Sequence, residues 1–96
     1  MTPAGAQHAA TYVVEQYVPR GTAAEVEPFV TALRDAAAML TLESEPVRLA
    51  CSILLPEDDL CLHVLTAASS EAAVRAAAVA GIAAERSTTA TAWFAS

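Results

Sequence analysis

From Thr11 to Val18 the side chains alternate with a period of two. Tyr12, Val14, Gln16 and Val18 fall on one face and Val13, Glu15 and Tyr17 on the other, which predicts a first strand. Pro19-Arg20-Gly21 interrupts it, and the period becomes helical. Val26, Phe29 or Val30, Leu33, Ala36 or Ala37 and Leu40 recur every three or four residues, and Thr22 with Glu25 has capping-box spacing. Pro28 lies beyond the first turn of a helix capped at Thr22, so either that turn is irregular or the regular helix begins later. Two apolar runs, Val47 to Leu55 and Leu60 to Thr66, flank Pro-Glu-Asp-Asp and predict a hairpin. Ser69 or Ser70 caps a second, alanine-rich helix that places Glu71 at its positive end and stops at Gly81. Ser87 to Phe94 gives the fourth strand.

The order β-α-β-β-α-β is that of an α+β, ferredoxin-like domain: a four-stranded antiparallel sheet, strand order four-one-three-two, with both helices on one face. Residues 1–10, with small side chains, Pro3 and Gly5, read as a flexible arm preceding a single domain over 11–96. Strands two and three are apolar on both faces. Strict alternation places Val47, Leu49, Cys51, Ile53 and Leu55 on one side and Ala50 and Leu54 on the other, while Leu60, Leu62 and Val64 alternate with Cys61, His63 and Leu65. A sheet with one wet face alternates apolar with polar. The second face is therefore expected to be covered, most economically by a second copy in a homodimer.

Composition narrows the function classes. Hydrophobic residues make up 55% of the chain but aromatics only 5%, because 24 of the 96 residues are alanine. Such a core is thin, and its elements must approach closely. There is no lysine, and the five arginines, Arg20, Arg34, Arg48, Arg75 and Arg86, are scattered along a chain of net charge −6. Nucleic-acid binding needs clustered cations, and anionic membranes repel such a surface. No apolar run approaches the roughly 18 residues that span a bilayer, and Met1 to Ala10 lacks the features of a signal peptide. A cytoplasmic protein with both cysteines reduced is the expectation.

Cys61 and His63 stand two apart on one strand, so their side chains share a face. Thiolate and imidazole suit nickel, zinc or copper. Further ligands would come from Glu15 on the neighbouring strand, His8, Asp58, Asp59 or a second subunit. The competing reading makes Cys61 a small core residue and His63 an internally hydrogen-bonded one. Cys51 reads as a small hydrophobe. Glu57-Asp58-Asp59 reads as a solvated turn, and Glu15 needs a ligand or a partner such as Arg48. There is no Gly-x-Ser-x-Gly elbow and no phosphate-binding glycine loop. His63 with Glu15 remains a conceivable acid–base pair across strands.

The chain resembles a group of small bacterial ferredoxin-like domains of unknown function that includes a nickel-binding member. The resemblance spans about residues 11–90 and is carried by Val13-Val14-Glu15 with Pro19 and Gly21, by Ser52 to Pro56 with Glu57-Asp58-Asp59, and by Cys61. Ser69-x-Glu71-Ala72-Ala73, Ala80-Gly81-Ile82 and Arg86 complete it. It implies the same fold, self-association and nickel binding. The chain departs from the group's pattern at Ala76 or Ala77, where a longer polar side chain is common, and at His63, where cysteine or an aromatic is.

Taken together, the sequence predicts a homodimeric domain that binds a small-molecule ligand or a divalent transition metal such as nickel rather than catalysing a reaction. Its metal ligands would be His63, Cys61 and Glu15. Two alternatives stand beside it. One is a dimeric α+β-barrel enzyme of the small monooxygenase or isomerase type with His63 as acid–base group in the sheet cavity; the other is an interaction module without a site.

Overall fold

The computed structural model describes residues 10–94. The elements follow the predicted order: β1 (Ala10–Tyr17), α1 (Ala23–Leu42), β2 (Val47–Leu55), β3 (Leu60–Ala67), α2 (Ser70–Val79) and β4 (Ala84–Ala90). The strands form one antiparallel sheet of order β2-β3-β1-β4, the ferredoxin-like arrangement. Ala10 already pairs with Ala67 in β1. The arm predicted for residues 1–10 thus loses its last residue to the sheet, and the rest of it lies outside the described residues.

Local chemistry sets the helix ends. Thr22 is extended and caps α1, its hydroxyl accepting from the Glu25 N–H while the Glu25 carboxylate accepts from the Thr22 N–H. The helix thus starts regularly and passes through Pro28, its sixth residue. The missing proline N–H leaves only an exposed carbonyl near the N-terminus without its intrahelical donor. Removing the box by Thr22→Ala is expected to cost about 1 kcal/mol, read as a lower urea midpoint with unchanged slope. At the other end Ser44 (φ 72°) takes the left-handed position, and the Glu45 N–H returns to the Leu40 carbonyl. In α2, Ser69 caps the start by accepting from the Ala72 N–H, and Gly81 (φ 80°) with Ile82 closes the end on Ala78 and Ala77.

The core lies between the helices and one sheet face. Leu33, Ala37 and Leu40 of α1 and Ala72, Ala73, Ala76 and Ala77 of α2 meet Val14, Val47, Leu65 and Ala67 of the sheet. The four alanines of α2 let that helix sit close on the strands. Gly21 is required where β1 turns toward α1, because a β-carbon there would collide with Val18.

Two expectations are corrected. β4 spans Ala84–Ala90 rather than Ser87 to Phe94. It has β1 as its partner, and that pairing ends at Thr11↔Ala90, so Trp93 and Phe94 follow the strand and are exposed. In β2 the register shifts between Leu49 and Cys51. One extra residue, Ala50, reverses the alternation. Val47, Leu49, Ser52 and Leu54 therefore face the helices, and Cys51, Ile53 and Leu55 face away.

Candidate functional site

The bulge in β2 brings Ser52 opposite His63 on the helix-covered face, and Gln16 of β1 stands one diagonal step further along the same face. The Ser52 hydroxyl lies 2.7 Å from His63 Nδ1, and His63 Nε2 lies 2.9 Å from Gln16 Oε1. An amide oxygen only accepts, so Nε2 carries the proton and Nδ1 accepts from Ser52. The imidazole is neutral and fully satisfied. His63 is 0% exposed and Gln16 6%, while Ser52 on the edge strand β2 is half-buried, so the row runs across three adjacent strands from the sheet edge into the core. Apolar groups lie on either side of it: Val14, Leu33 and Leu65 belong to one cluster, Val18, Val26 and Cys61 to the other.

Burial lowers the His63 pKa below its ordinary value of 6.5, since the charged ring would lose water without gaining a counter-charge. The Cys61 thiol is pushed up by the same desolvation, which outweighs a backbone hydrogen bond from Ile53. Both groups are therefore held neutral at pH 7, and neither has the character of an activated nucleophile.

The sheet divides the predicted metal ligands. Cys61 and His63 do share a face, but it is the face under the helices, where Cys61 packs against Val18, Val26 and the half-buried Val30 and Leu54. Glu15 pairs with Leu62 on β3 and so projects from the opposite face. There its carboxylate lies 3.7 Å from Arg86, its register partner on β4, rather than against Arg48. Asp59 is a structural residue: its carboxylate accepts from the Arg20 N–H at 3.0 Å and its carbonyl from the Val18 N–H at 2.7 Å. Glu57 and Asp58 are exposed at the turn. His8 lies outside the described residues. Among the described residues no three His, Cys, Asp or Glu side chains gather where they could hold an ion. The same geometry separates His63 from any cavity that two stacked sheets would enclose, where an acid–base role would have placed it.

The uncovered face is different in kind. Val13, Leu60, Leu62 and Val64 occupy its centre, with Cys51, Ile53 and Leu55 on the β2 side and Tyr17 at one end. Tyr17 is 56% and Ile53 43% exposed. Glu15 is neutralised on this face by Arg86, whereas the charged side chains of α1 and α2 are exposed on the far side of the sheet. No family model matches the chain, and no curated protein or solved structure matches it either.

Proposed function

We propose that the protein is a self-associating binding module, a homodimer in which two copies stack their uncovered sheet faces about a two-fold axis. The observation that carries this reading is a sheet face with an apolar centre, on which Glu15 is matched by Arg86 and Arg48 stands at the β2 edge, in a chain of net charge −6. Elsewhere two copies would repel each other; here they would not. Four strands about 4.8 Å apart and eight residues long at about 3.4 Å each present roughly 500 Å² in plan. Two such faces supply about 1,000 Å², and side-chain relief adds more, which reaches the lower bound for a stable interface. Sedimentation equilibrium tests the proposal: a dimer at micromolar concentration supports it, and a monomer up to millimolar concentration sinks it.

A second reading rests on Cys61 and His63, two donors suited to nickel or another divalent transition metal, side by side on β3. An ion there would have to displace either Ser52 or Gln16 from the imidazole and recruit further ligands. Titration of untagged protein with Ni²⁺ and Zn²⁺ by calorimetry decides it. On this reading, binding at one ion per subunit disappears in both His63→Ala and Cys61→Ser; a flat titration at micromolar metal removes it.

A further inference from the structure

We propose that the segment after β4 is a clasp between two copies of the chain, in which Trp93 and Phe94 pack across the open side of the stacked sheets onto the partner. The clasp rests on the sheet-to-sheet dimer proposed above and adds a second contact, made by residues outside the sheet face. Trp93 is 87% and Phe94 62% exposed in the single chain, and neither belongs to its two apolar clusters. Aromatic side chains bury roughly 150–250 Å² each. A chain with one tryptophan and two phenylalanines therefore keeps the largest of them outside its own core.

The subunit's own sheet gives these rings no seat. β4 ends at Ala90, and the row that crosses the uncovered face there is Ala90, Thr11, Thr66 and Arg48. Those side chains are small, polar or charged. The apolar centre begins at Val13 and Val64, two residues further in, and β4 runs away from it as the chain approaches Ala90.

A second copy is within reach. Phe94 stands four residues beyond Ala90, a span of up to about 13 Å for an extended chain. Stacked sheets lie about 10 Å apart, and β4 is an edge strand. The segment can thus cross from one sheet to the other at the side of the stack with the β4 pairing intact. Thr91-Ala92-Trp93-Phe94 carries no charge, so it adds no repulsion toward a partner of net charge −6.

Area points to the same occupant. The two sheet faces supply about 1,000 Å² in plan, the lower bound for a stable interface. Two aromatic side chains from each copy add roughly 600 Å² with the partner surface they cover. The total then reaches the roughly 1,600 Å² of a standard interface, with tryptophan in the anchoring role it most often fills.

Trp93 is the only tryptophan in the chain, so its fluorescence reports on the clasp alone. Emission and acrylamide quenching are followed across the concentrations at which sedimentation equilibrium finds the monomer–dimer transition. The Trp93→Ser/Phe94→Ser chain is sedimented beside the intact one. In the intact chain, emission is expected to move to shorter wavelength and quenching to fall in step with dimer formation. The doubly substituted chain, altered only at exposed positions, is expected to keep its fold by circular dichroism. Its dimer dissociation constant should rise about a hundredfold, tenfold for each of the two symmetry-related clasps. A dimer whose tryptophan stays as exposed as in the monomer overturns the clasp and leaves the sheet-face dimer standing. So does a doubly substituted chain that dimerises as tightly as the intact one. An intact chain that remains monomeric to millimolar concentration overturns both.

Discussion

Leu65→Ala is expected to remove a large share of the stability of this domain. Leu65 sits on the central strand β3, is 0% exposed, and lies on the helix side between Tyr12 of β1 and Leu49 of β2. Truncating a buried leucine costs about 2–5 kcal/mol, and the place within that range depends on how far the surroundings collapse into the space left behind. Here they have little to collapse with. Much of the buried wall is Ala37, Ala67, Ala72, Ala73, Ala76 and Ala77, and an alanine has no rotamer that could swing into a void. The loss therefore belongs in the upper half of the range, against a total of roughly 5–15 kcal/mol for domains in general. Urea unfolding followed by circular dichroism measures it. Leu65→Met, which conserves volume, should cost less than about 1.5 kcal/mol. Equal losses in the two variants would mean that side-chain shape, not the cavity, governs this position.

The same scarcity of large side chains explains what could be read from the sequence. Each fold element announced itself by a local signal: alternation in β1, the Thr22–Glu25 box, the Pro56–Asp59 turn, and the Ser69 start and Gly81 stop of α2. Together these dictate the ferredoxin-like order. Faces were harder. Gln16 stood among the apolar positions of its face of β1, but Ser52, which meets the other nitrogen of the same imidazole, could not be placed on that side. Ser52 reaches the covered side only because Ala50 is the extra residue of a bulge, and no glycine marks that position.

The three candidate metal ligands fall on two faces for a related reason. Alternation says that Cys61 and His63 share a side of one strand and that Glu15 shares a side of another with Val13 and Tyr17, but relating the strands requires their register. The pairing Gln16↔Cys61 and Glu15↔Leu62 puts glutamine, not glutamate, beside the thiol and the imidazole. The end of β4 was misplaced because threonine alternation continues toward Trp93 after the pairing with β1 has ended at Ala90. Propensity can extend a strand on paper; a ladder stops when its neighbour does.

Placing one carboxylate at the centre of the uncovered face, by Leu62→Asp, is expected to convert the proposed dimer to monomers at micromolar concentration. Leu62 lies on β3 between Glu15 and Ile53 and is half-buried in the single chain. In the monomer an aspartate there keeps contact with water, so the fold should survive with a small loss in melting temperature. In the stacked dimer two copies of the new carboxylate, together with two of Glu15, would be enclosed between sheets. Arg86 already serves Glu15, and Arg48 stands four residues along β3 from Leu62, opposite Thr66, so the added charges have no counter-ion beside them in their own subunit. Leaving a charge buried and unpaired costs about 3–5 kcal/mol. At 1.4 kcal/mol per factor of ten this raises the dissociation constant at least a hundredfold. Sedimentation equilibrium beside a thermal melt separates the two effects: loss of the dimer with the melt retained places the interface on this face. An unchanged dimer in Leu62→Asp would move the interface elsewhere on the molecule, because no two-fold stacking of these sheets can keep the centre of β3 in water.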